Sequence, residues 1–365
     1  SWYQAFKNPG GVVHINCMFR DPLTPIKTKD DLAKYTKSLS SWMKSVKPYT
    51  QYVQGKMEGF KNPEIIAERI NKIKNGVIVV GKIAKRHEPQ VIELAQILGW
   101  PIFADLTSGL RLGNQSKNVI HYFDQVLLSQ SPNFDGVLHL GGRLTSKRYY
   151  EFIQKLQPQE YIIVLDHPLR NDPTHQVSLR VDSCPGNFCR NIKPLLKKRP
   201  ASAISKKLAF LNSEIDRRID AFFKGDGRIC EIVAARKVSQ LIPKDTGLFV
   251  SNSMPIRDMD FYGDFKGSSV VIGGNRGASG IDGIIASAAG FAQGLNKPVT
   301  LMIGDLAMLH DLNSLALLKE ISLPVIIVVL NNGGGGIFSF LPIAEHKDVF
   351  EKYFGTPHSA TFANA

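Results

Sequence analysis

The sequence predicts an α/β fold built on doubly wound parallel sheets, and three observations carry that prediction. Short apolar runs of strand length recur along the chain, at 77–80, 101–104, 137–140, 161–165, 248–251, 270–272, 299–303 and 325–330. Helical patterns of about ten residues separate several of them, and that alternation implies parallel strands joined by helices. The run 325–330 is β-branched without polar alternation, as in a parallel strand covered on both faces. Finally, three successive runs in the second half end in polar, glycine-bearing loops, on the edge where open α/β sheets place their ligands.

Taken in order, residues 1–28 hold the short apolar strand Gly10-Gly11-Val12-Val13-His14-Ile15-Asn16 and the exit Asp21-Pro22-Leu23-Thr24-Pro25. A lone strand is not a domain. The start, Ser-Trp-Tyr-Gln-Ala-Phe, has neither an initiating Met nor the form of a signal peptide, and reads as the interior of a longer polypeptide. Residues 29–74 read as a linker with a surface helix. From 75 to 199 the chain alternates: strand 77–80, helix 90–98, strand 101–104, helix 119–128, strand 137–140, helix 149–156, strand 161–165. Lys198-Arg199-Pro200 is a plausible boundary. Helices at 204–223 and 230–241 follow, then strands 248–251 and 270–272 and a helix from 284 to 291. A β-α-β unit comes next, with Leu309, Leu312, Leu315, Ala316 and Leu318 on one helical face, Pro324 ending that helix, and a right-handed crossover expected.

Bulk properties narrow the function. The 365 residues are 43% hydrophobic and 21% charged, ordinary for a globular protein. No apolar run reaches the roughly 18 residues that span a bilayer. Four cysteines are too sparse for a disulfide scaffold and fit a reducing cytosol; Cys184-x4-Cys189 lacks a second Cys or His pair to make a metal site. The net charge of +13 is spread over amphipathic stretches, with no basic run interleaved with aromatics. Solvated helix faces and an anion-binding cleft account for it better than nucleic-acid binding.

The most specific chemistry lies between 300 and 338. Asp305 and Asn332 close two neighbouring strands, and Gly333 to Gly336 follow. A hard cation such as Mg²⁺ takes a carboxylate, an amide oxygen and a carbonyl, which Asp305, Asn332 and Gly334 offer. The glycines let a diphosphate approach the backbone amides. A helix-capping Asp followed by an ordinary turn is the simpler reading of either half, but the two together favour a diphosphate–metal site. Gly141-Gly142-Arg143-Leu144-Thr145-Ser146-Lys147-Arg148 follows a strand and opens a helix without the Walker A pattern. Lys147 and Arg148 there are a carboxylate receptor or a pair of solvated bases. Gly273 to Gly283 lacks the dinucleotide spacing. Arg257 and Arg276, at the ends of adjacent strands, suit bidentate pairing with carboxylates.

Gly304-Asp305 followed across a β-α-β span by Asn331-Asn332 resembles the diphosphate motif of the thiamine-diphosphate enzymes. Leu306, His310-Asp311-Leu312-Asn313, the 141–148 stretch and Asn275-Arg276-Gly277-Ala278-Ser279-Gly280-Ile281-Asp282-Gly283 resemble one branch of that family. That branch is MenD, the 2-succinyl-5-enolpyruvyl-6-hydroxy-3-cyclohexene-1-carboxylate synthases of menaquinone biosynthesis. Gly10 to Asn16 is similar to the strand that ends the family's pyrimidine-binding domain, with Gly11 where Pro is usual.

The resemblance implies a tail of the pyrimidine domain at 1–28, a linker at 29–74, a central domain at 75–199 and a truncated diphosphate-binding domain at 200–365. It implies thiamine diphosphate with Mg²⁺ or Mn²⁺, the metal on Asp305, Asn332 and Gly334. The cofactor would meet Ser253, Ser279, Ile281, Gly304, Asp305, Leu306, Asn332, Gly334, Gly335 and Ile337, with Ile281 forcing its bent shape. Lys147, Arg148, Asn252, Arg257 and Arg276 would contact substrate. Arg257, Arg276, Ile281 and Phe338 would form the catalytic group.

The implied reaction decarboxylates 2-oxoglutarate and adds the succinyl unit to isochorismate. An activating Glu from the pyrimidine domain of another subunit of a homodimer or tetramer would complete the site; no residue of this chain takes that role, so the chain alone is expected to be catalytically incomplete. A bacterial cytoplasmic location is expected, with a plastid as the alternative. An acetolactate-synthase-like carboligase and a non-catalytic polyanion-binding fragment are the competing functions; neither nucleic acid nor a membrane span is expected.

Overall fold

The computed structural model describes residues 5, 10–19, 32–46, 50, 60–225 and 229–363. The chain divides into two units, residues 1–58 with Asp166–Pro168, and residues 59–165 with 169–365. The first unit holds short helical turns at Leu32–Thr36 and Ser40–Met43. The strand expected at 10–16 does not form: these residues join no ladder, and Val12 and Ile15 are 100% and 62% exposed. An extended segment without partner strands has nowhere to place its backbone hydrogen bonds. The expected exit at 21–25 lies outside the described residues.

The second unit contains two parallel sheets. The first comprises β1 (Gly76–Val80), β2 (Ile102–Ala104), β3 (Val119–Ile120), β4 (Gly136–Leu140), β5 (Glu160–Leu165) and β6 (Leu179–Asp182), in the order β3-β2-β1-β4-β5-β6. Every pairing is parallel. Its central strands are mostly apolar because both faces are covered. Ile78 and Val80 point into a core with Ile66 and Ile70 of α1 (Pro63–Lys72), Leu94 and Leu98 of α2 (Glu88–Leu98), and Phe188. Val77 and Val79 point the other way, to Phe123 of α3 (Phe123–Ser129), Tyr149 and Ile153 of α4 (Lys147–Leu156), and Leu208. Each such aliphatic side chain contributes about 1.5–3 kcal/mol by burial. Helices α5 (Pro185–Ile192), which supplies Phe188, and α6 (Ala203–Gly225), which supplies Leu208, complete the two layers.

The helix expected over 119–128 is instead β3 followed by α3. Val119 and Ile120 extend the ladder of β2, paired with Ile102 and Phe103, before Phe123 starts the helix. Two residues are too few to display strand periodicity in a sequence. β6 and α5 carried no recognised signal, since Leu-Arg-Val-Asp is polar and half-exposed at the sheet's edge.

The second sheet is β7 (Gly247–Val250), β8 (Val271–Gly273), β9 (Val299–Gly304) and β10 (Val325–Leu330), in the order β10-β9-β7-β8, again all parallel. α7 (Glu231–Leu241) precedes it. α8 (Met254–Tyr262) leaves β7 with Pro255 in its first turn, where a missing N–H costs nothing; the sequence had read this stretch as loop. α9 (Ile284–Leu295) packs Ile284, Ile285, Ala288 and Ala292 on the sheet.

The single helix expected before Pro324 is broken into α10 (Asp305–His310), a 3₁₀ turn at Leu312–Ser314, and α11 (Leu315–Leu318). Asp311 is the cause. Its carboxylate accepts the backbone N–H groups of Ile285 and Ala286 in the first turn of α9 and the hydroxyl of Ser314, which pulls the chain out of helical register. β10 is not covered on both faces as expected. It is an edge strand, and Ile326 is 55% exposed.

The two sheets are joined through α8. Leu106 and Leu112, in the loop after β2, pack with Ile256 and Met259. Arg111, fully buried, donates through Nε to Asp260 O (2.9 Å) and through Nη1 to Gly263 O (3.1 Å), at the end of α8. The Asp260 carboxyl accepts from Leu106 N at 2.6 Å.

Candidate active site

Strand register brings the site together. Gly304 of β9 lies opposite Leu330 of β10, and Met302 of β9 lies opposite Val250 of β7. Asp305, Asn332 and the Asn252-Ser253 turn therefore leave the same sheet edge. They bound a cavity of about 300 Å³. Its walls include Asn252, Ser253, Arg257, Arg276, Ser279, Ile281, Gly304, Asp305, Leu306, Asn332, Gly334, Gly335, Ile337 and Phe338. A wider groove of about 810 Å³ shares Glu231, Asn332 and the glycine run.

Asp305 begins α10 and is buried. Its Oδ1 accepts Leu306 N at 2.6 Å, and Oδ2 accepts Gly333 N at 2.8 Å and Gly334 N at 3.0 Å. Asn332 Oδ1 accepts the same Gly334 N–H at 3.2 Å. One glycine amide thus gathers a carboxylate oxygen and an amide oxygen, and the Gly334 carbonyl accepts Gly336 N at 3.0 Å. The carboxylate and amide oxygens fit a hard divalent cation, while the N–H groups of Gly333 to Gly336 already donate, to Asp305 Oδ2, Gly355 O and Gly334 O. Glycine is required at 334, where an added Cβ would lie 2.4 Å from Gly355 O. At Gly304 an added Cβ would meet nothing, so the strand end opens onto free space.

Opposite stands a cationic wall. Ser253, the residue before α8, has φ 68° and ψ −133°, an uncommon conformation for a side-chain-bearing residue and a form of strain that clusters at ligand sites. Arg257 Nη1 donates to Ser253 O. Arg276 Nη1 donates to Asn252 Oδ1 at 3.0 Å, and Asn252 Nδ2 to Gly280 O at 2.7 Å, which ties the 276–281 loop to the end of β7. Burial lowers the Arg257 pKa, and the neighbouring Arg276 charge lowers it further. Among the described residues neither arginine has a carboxylate within ion-pair distance, and two close guanidinium groups line one cavity, with the Asp258 charge acting on Arg257 at longer range.

Lys147 and Arg148 are not among the cavity walls. Lys147 is exposed and pairs with Glu151 at 3.3 Å; Arg148 is engaged by the Asp124 carboxylate. They open α4, and Arg148 lines a separate groove with Leu127, Glu151 and Phe152. The structure also supplies residues that sequence reasoning passed over. Glu231, at the start of α7, lines the cavity and accepts Asn332 Nδ2 at 2.5 Å. Asp258 is buried near Glu231, and burial, then the Glu231 charge, push its carboxyl up to about 7 against the pull of Arg257. His358 Nε2 lies 3.2 Å from Asp305 Oδ2, off the line a hydrogen bond requires. No spacing rule ties these three to the motif, because each comes from a different element.

Comparison with known proteins identifies the family. Residues 33–250 match the family model for the middle domain of thiamine pyrophosphate enzymes, and residues 262–363 match their C-terminal thiamine pyrophosphate-binding domain. The 2-succinyl-5-enolpyruvyl-6-hydroxy-3-cyclohexene-1-carboxylate synthase of Rubrobacter xylanophilus is 38% identical over 371 residues, covering 100% of this chain and 63% of the relative. Synthases of the same name from Prosthecochloris aestuarii (38% identical, 98% and 61% covered) and Salinibacter ruber (36%, 100% and 62%) are similar throughout. The relatives thus carry the name of the branch that the motifs resemble. The chain spans about three fifths of the length of these curated relatives. A solved Mycobacterium smegmatis structure, described as a thiamin diphosphate-dependent enzyme, matches in fold with a TM-score of 0.54 at 16% identity, over 80% of this chain and 57% of that one. With the middle-domain model alone matching more than half of its residues, the chain belongs to the thiamine pyrophosphate enzyme family.

Proposed function

We propose that this chain forms the diphosphate-binding half of an enzyme that decarboxylates 2-oxoglutarate and adds the succinyl unit to isochorismate, giving 2-succinyl-5-enolpyruvyl-6-hydroxy-3-cyclohexene-1-carboxylate. The observation that carries this reading is the meeting, in one cavity, of two arginines without an ion-pair partner among the described residues and a carboxylate and an amide oxygen gathered on a glycine turn. Asp305 Oδ2, Asn332 Oδ1 and the Gly334 carbonyl would hold Mg²⁺ or Mn²⁺, and Gly304, Leu306, Gly335 and Ser253 would border the diphosphate. Ser279, Ile281 and Ile337 would flank the aromatic end, and Phe338 would close the apolar wall. When bound, thiamine diphosphate supplies the nucleophilic carbon and the electron sink for decarboxylation.

The chain's own residues do the recognition. Both substrates are polyanions, and Arg257 and Arg276 give paired forks for their carboxylates in a partly desolvated site. Asn252 holds Arg276 in place and shares its task. Lys147 and Arg148, on the first turn of α4, would act at the outer rim. A pyrimidine-binding domain of a second subunit would complete the site in a cytoplasmic homo-oligomer.

The test is calorimetric titration of thiamine diphosphate with Mg²⁺, alongside CO₂ release from 2-oxoglutarate with and without isochorismate, for the parent protein, Asp305→Asn and Arg276→Ala. Metal-dependent binding that weakens in Asp305→Asn is expected, with product only when both substrates are present. Arg276→Ala should retain the cofactor and raise the KM for substrate. Preference for pyruvate as donor would move the protein to an acetolactate-synthase-like carboligase. No cofactor binding would leave only a polyanion binder.

A further inference from the structure

We propose that Glu231 and His358 are positioning residues that fix the orientation of the cation's two side-chain ligands, Asn332 and Asp305; this rests on the cation reading of the site. An asparagine amide serves a hard cation only with its oxygen turned inward, and a half-turn would present the NH₂ group instead. Glu231 forbids that half-turn. Its carboxylate can only accept, and it takes Asn332 Nδ2 at 2.5 Å, which leaves Oδ1 on the Gly334 side. Glu231 reaches Asn332 from the first turn of α7, an element outside the sheet.

His358 acts on the other ligand. Its Nδ1 accepts Ala360 N at 3.1 Å, so the ring hydrogen sits on Nε2, the atom 3.2 Å from Asp305 Oδ2. The side chain is only 16% exposed, and Nε2 is buried without a hydrogen-bond partner. The ring is held there by a strap of main chain. His358 N donates to Gly333 O (3.1 Å), Gly335 N to Gly355 O (2.7 Å) and Asn331 Nδ2 to Ala360 O (3.0 Å). Three hydrogen bonds thus tie residues 355–360 to the glycine turn. A polar group behind a metal ligand sets that ligand's direction, here by a hydrogen bond from Asn332 to Glu231 and by a close N···O contact without hydrogen-bond alignment for His358, and losing such a group typically weakens metal affinity about 10–100-fold.

The experiment is Mn²⁺ titration of the intact protein, saturated with thiamine diphosphate, with free Mn²⁺ followed by its paramagnetic resonance signal. Glu231→Leu and His358→Ala are each expected to weaken Mn²⁺ binding about 10–100-fold. Glu231→Gln, whose carbonyl still accepts Asn332 Nδ2, and His358→Gln, whose amide N–H stands near Nε2, should bind close to the parent. If the conservative and the truncating variants weaken binding alike, the residues are merely structural and the proposal fails. If one residue's variants bind as the parent does, that residue's role is overturned. Asp305→Asn separates the two levels: if it binds Mn²⁺ as the parent does, the cation reading falls, and this proposal with it. If Asp305→Asn alone weakens binding, the reading stands and the proposal is refuted.

Discussion

Asp305 is expected to hold the glycine turn together before any cofactor arrives. Its buried carboxylate accepts three backbone N–H groups, from Leu306, Gly333 and Gly334, at 2.6, 2.8 and 3.0 Å. A hydrogen bond to a charged acceptor contributes about 1.5–3 kcal/mol net. Removing the side chain in Asp305→Ala leaves the two glycine amides only their longer bonds to Asn331 Oδ1 and Asn332 Oδ1, both 3.2 Å, so the turn should lose about 1.5–3 kcal/mol against local opening. At 1.4 kcal/mol per factor of ten, hydrogen–deuterium exchange over residues 331–338 should quicken about 10–100-fold in the presence of a chelator. Asp305→Asn keeps one carbonyl oxygen for the glycine amides and turns an NH₂ toward Leu306 N, so its exchange should fall between the other two. Mass spectrometry of the peptide covering 331–338 reads this without cation or cofactor. Unchanged protection in Asp305→Ala would refute the claim that the carboxylate organises the turn.

Asp258 makes stability pH-dependent. Its folded pKa, near 7, lies above the ordinary carboxylate value of about 3.9, so its contribution is fully present below pH ~4 and is lost as pH rises through about 7. At 1.36 kcal/mol per pKa unit the ceiling is about 4 kcal/mol, and Asp258→Asn should gain in melting temperature over the parent between pH 6 and 8; a constant difference would refute this. Arg236 is buried among Asp216 (2.8 Å), Asp220 (2.6 Å) and Tyr122 Oη (2.7 Å), linking α6, α7 and the chain before α3. Arg236→Met should cost about 3–5 kcal/mol in chemical denaturation, because it leaves the Asp216, Asp220 and Asp264 carboxylates with Lys266 as their remaining cation, and a loss below about 1 kcal/mol would show the network to be dispensable. Gly334→Ala should displace the strap at Gly355 O, costing about 1–3 kcal/mol, and weaken thiamine diphosphate binding in calorimetry; parent-like affinity would place the turn away from the cofactor.

The sequence by itself determined the sheets and the chemistry at their edge. Strands such as 77–80 are buried on both faces, so their composition has to be uniformly apolar, and that constraint is visible without a structure. Asp305 and Asn332 were readable as partners because parallel neighbours joined by one crossover must end side by side, as the pairing of Gly304 with Leu330 shows. Tertiary structure decided the rest. Val119-Ile120 is a strand only because β2 offers it a ladder, and the helix after Asp305 breaks only because Asp311 is drawn to the amides that open α9. The apolar run at 10–16 shows the converse, since without partner strands the same residues stay exposed and unpaired. Glu231, Asp258 and His358 reach the site from separate elements far apart in the chain, and folding alone brings their charges and hydrogen-bond donors to one place.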